Sequence, residues 1–256
     1  MSDNQQVAIL PGGLTEEELR KASEASQQGF DRSEQVIPFL RILQPLSPQI
    51  QDMPGAKPGQ FCNIATGKLN DKKLIVPIVH QWNYTEWLPE REGFVKDWGE
   101  DMQGWQNECD AENKNAFKPI TKSGNNILIA RHFFVFDIDE EDNDIEACIM
   151  PFTGTMLTRA KSWSSKITYA PKIKTGNGLV RAPFYYYNYR MTTEIIKRGP
   201  YTWYLPIINL NMENGKAIST LDLPNGKAIW DAARRFEESY NAGEIKVASQ
   251  EEEEGF

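Results

Sequence analysis

Hydrophobic residues recur with two periods along the chain, and the change from one to the other orders the fold. Leu74, Ile75, Val76, Ile78 and Val79 predict a strong strand over 73–80. The run from 127 to 136 is apolar on both faces and predicts a central strand. Residues 145–152 follow it across an acidic loop, 137–144, as the second arm of a hairpin. Between 155 and 168 the period lengthens. Met156, Ala160, Trp163 and Ile167 fall on one helical stripe, with Arg159 and Lys166 off it. A Gly/Lys-rich loop over 172–178 leads to a long strand over 183–197, and Arg198-Gly199-Pro200 turns it into a last strand over 201–210. Ile229, Trp230, Ala233, Phe236 and Tyr240 predict an amphipathic helix ending near Gly243. Upstream, 61–66 reads as a short strand, and the prolines within 37–50 favour extended, edge-like chain.

This order predicts a mainly β chain with a few helices: an OB-like β-barrel, one helix before its last hairpin, and a C-terminal helix. Residues 82–122 break the strand series. They hold Trp82, Trp87, Trp98 and Trp105, and nine acidic residues against two basic between Glu86 and Glu112. They read as an inserted segment with its own aromatic cluster. Residues 1–34 read as a flexible arm, in which Thr15-Glu16-Glu17-Glu18 opens a short helix. The expected division is therefore an arm over 1–34, an OB-like domain over 35–243, and a disordered acidic tail over 244–256.

Composition changes the picture only when it is resolved along the chain. The net charge of −8 argues against nucleic acid, because polyanions need a basic footprint. Between Phe152 and Lys216, however, ten basic residues face only Glu194 and Glu213, so that segment carries +8 and the remainder −16. It also holds eleven of the 28 aromatic residues. Cations neutralise phosphates, and rings stack on unpaired bases at about 1–3 kcal/mol each. The expected phosphate contacts are Arg159, Lys161, Lys166, Lys172, Lys174, Arg181 and Arg190; the expected stacking residues are Tyr185, Tyr187, Tyr189, Tyr201 and Trp203. In a strand over 183–197, Tyr185, Tyr187 and Tyr189 share a face as a row of rings about 7 Å apart. Four tyrosines in five residues resist complete burial with satisfied hydroxyls, so one face is expected outside. The competing expectation is a sheet whose aromatics are core and whose lysines are merely solvated.

The chain closes with Glu251, Glu252, Glu253, Glu254, Gly255 and Phe256. Four adjacent acids repel one another, and the terminal phenylalanine adds an apolar anchor beside a free carboxylate. In this the chain resembles the single-stranded DNA-binding proteins of tailed bacteriophages, and it shares the tail logic of bacterial ones. The segment from Ile37 to Gln49 also resembles the start of phage proteins of similar size. The resemblance implies an OB core that coats single-stranded DNA without sequence preference in replication, recombination or repair. It also implies that the tail, Glu251 to Glu254 with Phe256, recruits replication proteins and competes with DNA.

An enzyme reading competes less well. Asp137, Asp139 and Glu141, in a stretch with seven carboxylates in ten residues, offer a metal-dependent nuclease as the alternative; a solvated hairpin tip is the simpler expectation. EF-hand spacing is absent from it. Cys62, His80, Cys109, His132 and Cys148 show no zinc spacing, and no nucleophile elbow, Walker loop or dinucleotide fingerprint occurs. A third reading is an interaction module without nucleic acid. No cofactor and no metal are expected. With no run of 18 apolar residues and no secretory signal, the expected location is the cytoplasm, that of the host bacterium if the protein is viral. A homo-oligomer is left open.

Overall fold

The structure is a computed structural model that describes residues 37–116, 118–141 and 144–245. The expected arm over 1–34 and the acidic tail, Glu251 to Phe256, lie outside these residues. β1 (Leu40–Ile42), β2 (Phe61–Asn63) and β3 (Leu69–Asn70) form a small antiparallel sheet; a short helix, α1 (Gln49–Asp52), sits in the connection between β1 and β2. The main sheet is built on β4 (Lys73–Trp87), β6 (Asn126–Ile138) and β7 (Ile145–Thr153), with β10 (Tyr189–Arg198) and β11 (Tyr201–Leu210) on the other side of β4. β5 (Phe94–Gly99) pairs with the far end of β4. α2 (Met102–Asn107) follows β5, and α3 (Leu157–Thr168) follows β7. β8 (Ile173–Thr175) and β9 (Gly178–Val180) form a separate hairpin, β12 (Met212–Glu213) and β13 (Lys216–Ala217) another, and α4 (Gly226–Asn241) ends the described chain.

Alternation explains why β4 and β6 are apolar on both faces. Ile75, Phe133 and Val135 face one core, with Leu40, Phe61, Met150, Tyr189, Met191 and Ile208. Val76, Ile78, Phe136 and Ile138 face a second core under α4. α3 covers the first core through Ala160, Trp163 and Ile167, three members of the predicted helical stripe. Trp163 is fully buried and stacks on Phe133, with ring centroids 4.3 Å apart. Each such side chain contributes about 1.5–3 kcal/mol by leaving water. α4 lays Ile229 and Ala233 on the second core. Its first residue must be glycine, since a Cβ at Gly226 would lie 2.4 Å from the Thr220 carbonyl oxygen.

Among the described residues no sheet closes into a barrel, and in this the predicted architecture is corrected. The segment around β1 lies between the two free edges but joins them by isolated bonds. The Ile149 N–H of β7 donates to the Pro38 carbonyl at 2.8 Å. On the β11 side, Gln44 Nε2 donates to the Tyr204 carbonyl at 3.1 Å, and the Tyr204 N–H donates to Gln44 Oε1 at 2.9 Å. Pro38, Pro45 and Pro48 explain the interruption, because a proline has no N–H to extend a ladder. Further along the same outward-facing row of β11, Pro206 has no N–H to offer, and the Ile208 carbonyl accepts from Lys166 Nζ.

The segment 82–122 is continuous with the main sheet. Trp82 and Trp87 belong to β4 itself, which runs seven residues beyond the predicted end at His80. The predicted aromatic cluster exists: Tyr84, Trp105, Cys109 and Ile127 are buried, with Trp82 and Trp98 packed against them. Glu86 is buried among them and accepts from Trp98 Nε1 at 3.1 Å and Asn125 Nδ2 at 2.8 Å, so its carboxylate organises the aromatic hairpin.

Candidate nucleic-acid interface

The tyrosine row over 185–189 is not a surface platform. Pro183 precedes a single 3-10 turn over Phe184–Tyr186, and β10 begins only at Tyr189. The turn breaks the period-two pattern and divides the tyrosines between two cores. Tyr185 packs edge-on against Trp230 of α4, at 4.8 Å between ring centroids. Tyr187 and Tyr189 enter the core under α3, and all three are at most 8% exposed. The hydroxyl problem is met case by case: Tyr187 donates to the Pro171 carbonyl at 3.1 Å, and Tyr185 reaches Glu237. Burial pushes the Tyr189 phenol well above its ordinary range. Tyr185, Tyr187 and Tyr189 are therefore withdrawn as stacking residues.

Tyr201 and Trp203 fare differently. They stand two residues apart on one face of β11, with Arg198 directly opposite Tyr201 and Ile196 opposite Trp203. Tyr201 is 72% exposed; Trp203 is half-buried at the rim of a shallow cleft with Met156 and Gln44. The pair forms a short ring-and-cation patch beside the β10–β11 turn. Sequence reasoning places both rings but leaves Arg198 and Lys197 out of the site; their position at a hairpin tip is the available signal.

The cations divide into engaged and free. Arg159 pairs with Glu194. Lys166 caps the Ile208 carbonyl and reaches Asn209 Oδ1 at 3.1 Å. Arg190 makes a bidentate pair with Glu140, both bonds 2.8 Å, and donates through Nε to Asn211 at 2.9 Å. The Arg190 hydrogen bonds hold the Glu140 carboxyl below its usual range. These three side chains have structural partners already. Lys161, Lys172, Lys174, Arg181, Lys197 and Arg198 are exposed and have no acidic partner among the described residues. Lys172, Lys174 and Arg181 flank or lie in the β8–β9 hairpin. That hairpin also exposes Leu179, and it begins just after Tyr169, at 83% the most exposed ring among the described residues. Tyr169 belongs to the aromatic-rich segment but not to the expected site; its position past the buried stripe of α3 marks it as outward.

The acidic loop is tethered rather than free in solvent. Lys68 pairs with Asp139, Arg190 with Glu140, and Lys73 with Asp137. Asp137, Asp139 and Glu141 do not form a ligand cluster. The one three-donor group among the described residues is Asp137, Glu146 and Cys148, and there the Asp137 carboxylate already holds the Lys73 ammonium. The three cysteines are buried and free, and burial raises each thiol, Cys148 to about 12. Both histidines sit in strands. Burial lowers His80 and His132 to about 4. His80 Nε2 lies 2.8 Å from Arg131 Nη2 and accepts from it as the neutral ring.

Fold and surface together define a mainly β protein with one open central sheet and, among the described residues, a set of unpaired cations on the β8–β9 and β10–β11 hairpins and α3. The chain matches the model of the Pam3 phage gp34-like protein family over residues 12–246, and it belongs to that family. Its bacteriophage connection follows from this match. No curated protein and no solved structure matches it.

Proposed function

We propose that the chain binds single-stranded DNA, without sequence preference and without turnover, on the surface formed by the β8–β9 and β10–β11 hairpins and the exposed side of α3. The observation that carries the reading is a run of exposed cations over 161–198 that no carboxylate among the described residues pairs. In a chain of net charge −8, Lys161, Lys172, Lys174, Arg181, Lys197 and Arg198 have no acidic partner among the described residues, yet carboxylates are abundant elsewhere. Exposed Tyr169, Tyr201 and half-buried Trp203 lie among them in sequence and supply stacking faces. An OB-like relationship is the finer form of this proposal. It is supported by side chains from β1, β2, β4, β6, β7, β10 and β11 meeting in one core capped by α3. The tail residues Glu251 to Glu254 and Phe256 are proposed to compete with DNA for these cations and to recruit replication or recombination proteins.

A salt-titrated binding measurement comparing single-stranded with duplex DNA tests the proposal. Preferential single-strand binding that weakens steeply with salt is expected; equal affinity for duplex, or no binding at low salt, rejects it. Removing 250–256 is expected to tighten binding several-fold at low salt only. Phe256→Ala is expected to abolish partner capture with the charge unchanged. Degradation of the DNA in the presence of Mg²⁺ would favour the nuclease reading instead.

A further inference from the structure

β4, β6 and β7 are neighbours, and their register places three reactive groups side by side. Asp137 of β6 lies opposite Ile75 of β4 and opposite Glu146 of β7. Lys73 is two residues before Ile75, hence on the same face. Lys73 Nζ lies 2.5 Å from Asp137 Oδ2, and both side chains are only 5% exposed. The other carboxylate oxygen of Asp137 is buried without a hydrogen-bond partner. Donor atoms of Asp137, Glu146 and Cys148 lie within 4.8 Å of one another. Glu146 is itself oriented by Asn63, whose Nδ2 donates to Oε2 at 2.7 Å.

We propose that this fold forms an intramolecular isopeptide bond between Lys73 and Asp137, with Glu146 carrying the proton. An amine and a carboxyl held in contact need no encounter step, and reacting atoms about 3–3.5 Å apart are already in attack range. Taking an ion pair out of water costs free energy that its mutual attraction does not always return. Transfer of one proton from Nζ to Oδ2 removes both charges. The burial that penalises them also raises the Asp137 carboxyl, which is the direction the reaction requires. The amine lone pair then attacks Asp137 Cγ. The C–N bond forms, and the tetrahedral centre passes its N–H proton to Glu146. Glu146 returns that proton to the departing hydroxyl, the C–O bond breaks, and water leaves. The balance is one amine and one carboxylic acid giving one amide and one water, with no oxidant, reductant or cofactor. The neighbouring thiols do not compete: burial keeps Cys62 and Cys148 protonated, and a thiol is a poor nucleophile.

The test is the intact mass of the full chain under denaturing conditions, with N-terminal processing read from its terminal peptide. The expected mass is one water below that of the sequence, and protease digestion is expected to yield one branched peptide containing both Lys73 and Asp137. Lys73→Arg, which keeps the charge but lacks the primary amine, is expected to restore the full mass, and Glu146→Gln to restore it wholly or in large part. Wild-type protein at the full sequence mass, or a water lost from any other pair of residues, overturns the proposal whether or not the variants fold. A branched peptide formed in Glu146→Gln to the same extent as in the wild type overturns the assignment of the proton carrier.

Discussion

Two tyrosine-rich stretches lie a dozen residues apart, 184–189 and 201–204, and they meet opposite fates. In the first, Tyr185, Tyr187 and Tyr189 are buried; in the second, Tyr201 is exposed and Trp203 half-exposed. Composition does not separate them. Position does. The first stretch crosses from the β8–β9 hairpin into the middle of the sheet, where Tyr189 pairs with Ile75 of β4 and α3 closes over it. The second starts at a turn, Arg198 to Tyr201, beyond the last pairing of β10 with β4, and β10 is the one strand paired with it among the described residues. Cations follow the same division. Lys73 is enclosed with Asp137, whereas Lys172 and Lys174 stand in water.

The largest effect expected from breaking this contrast is on stability. Tyr189→Ala opens a cavity beside Trp163 and is expected to cost about 3–5 kcal/mol. Tyr201→Ala should change stability by no more than about 0.5 kcal/mol. Urea denaturation of both variants checks the pair, and equal losses would erase the distinction.

The enclosed side also has a pH signature. His132 is buried with its pKa lowered to about 4, from an ordinary 6.5, mainly by desolvation. The unfolded chain therefore takes a proton that the folded chain refuses between those values. The contribution is fully present above about pH 6.5 and is lost as pH falls toward about 4, at up to about 1.4 kcal/mol per unit. His132→Gln is expected to flatten the fall in denaturation midpoint across that window; an unchanged slope would move the acid sensitivity elsewhere.

On the exposed side, Trp203→Ala is expected to weaken single-strand binding by about 1–3 kcal/mol in a folded protein, measured by fluorescence anisotropy of a labelled oligonucleotide. An unaltered affinity removes the ring from the interface. The smallest effect is expected in the salt slope. Replacing Lys172 and Lys174 by alanine should make the log–log slope shallower by about 0.7 for each phosphate that is no longer neutralised. Replacing Arg159 and Glu194 together should leave the slope unchanged, since that pair is already satisfied internally.

Much of the fold was legible in residue periodicity, because the strongest signals came from buried faces. The α3 stripe, the two-faced β6 and the C-terminal helix all owe their patterns to core packing. The break at 183–188 was not legible as a break. Pro183 was visible, but the tyrosines that follow fit an exposed strand and a pair of buried cores equally well by period alone. The failure of the barrel to close had a signal in the prolines before and after β1. They mark edge-like chain, but the step from an edge to an unclosed sheet needs the strand order, which periodicity does not carry. The proposed interface is legible as a segment but not residue by residue. Charge counting locates cations; it does not say that Glu140 on a distant loop has taken Arg190. Partners remote in sequence are where a one-dimensional reading ends.

The outer row of β11 has one further consequence, for life at high concentration. A free strand edge is a template on which a second copy can add its own strand. Here successive outward positions are occupied in different ways: the amide of Gln44 mimics a neighbouring peptide at Tyr204, Pro206 offers no donor, and the Lys166 ammonium covers the Ile208 carbonyl. An incoming strand would have to displace a side chain at both ends and skip a bond in the middle. The open sheet is thus guarded against aggregation by two polar side chains and one ring, and Gln44→Leu, by stripping the first guard, should show itself as turbidity on concentration before it shows itself as lost stability.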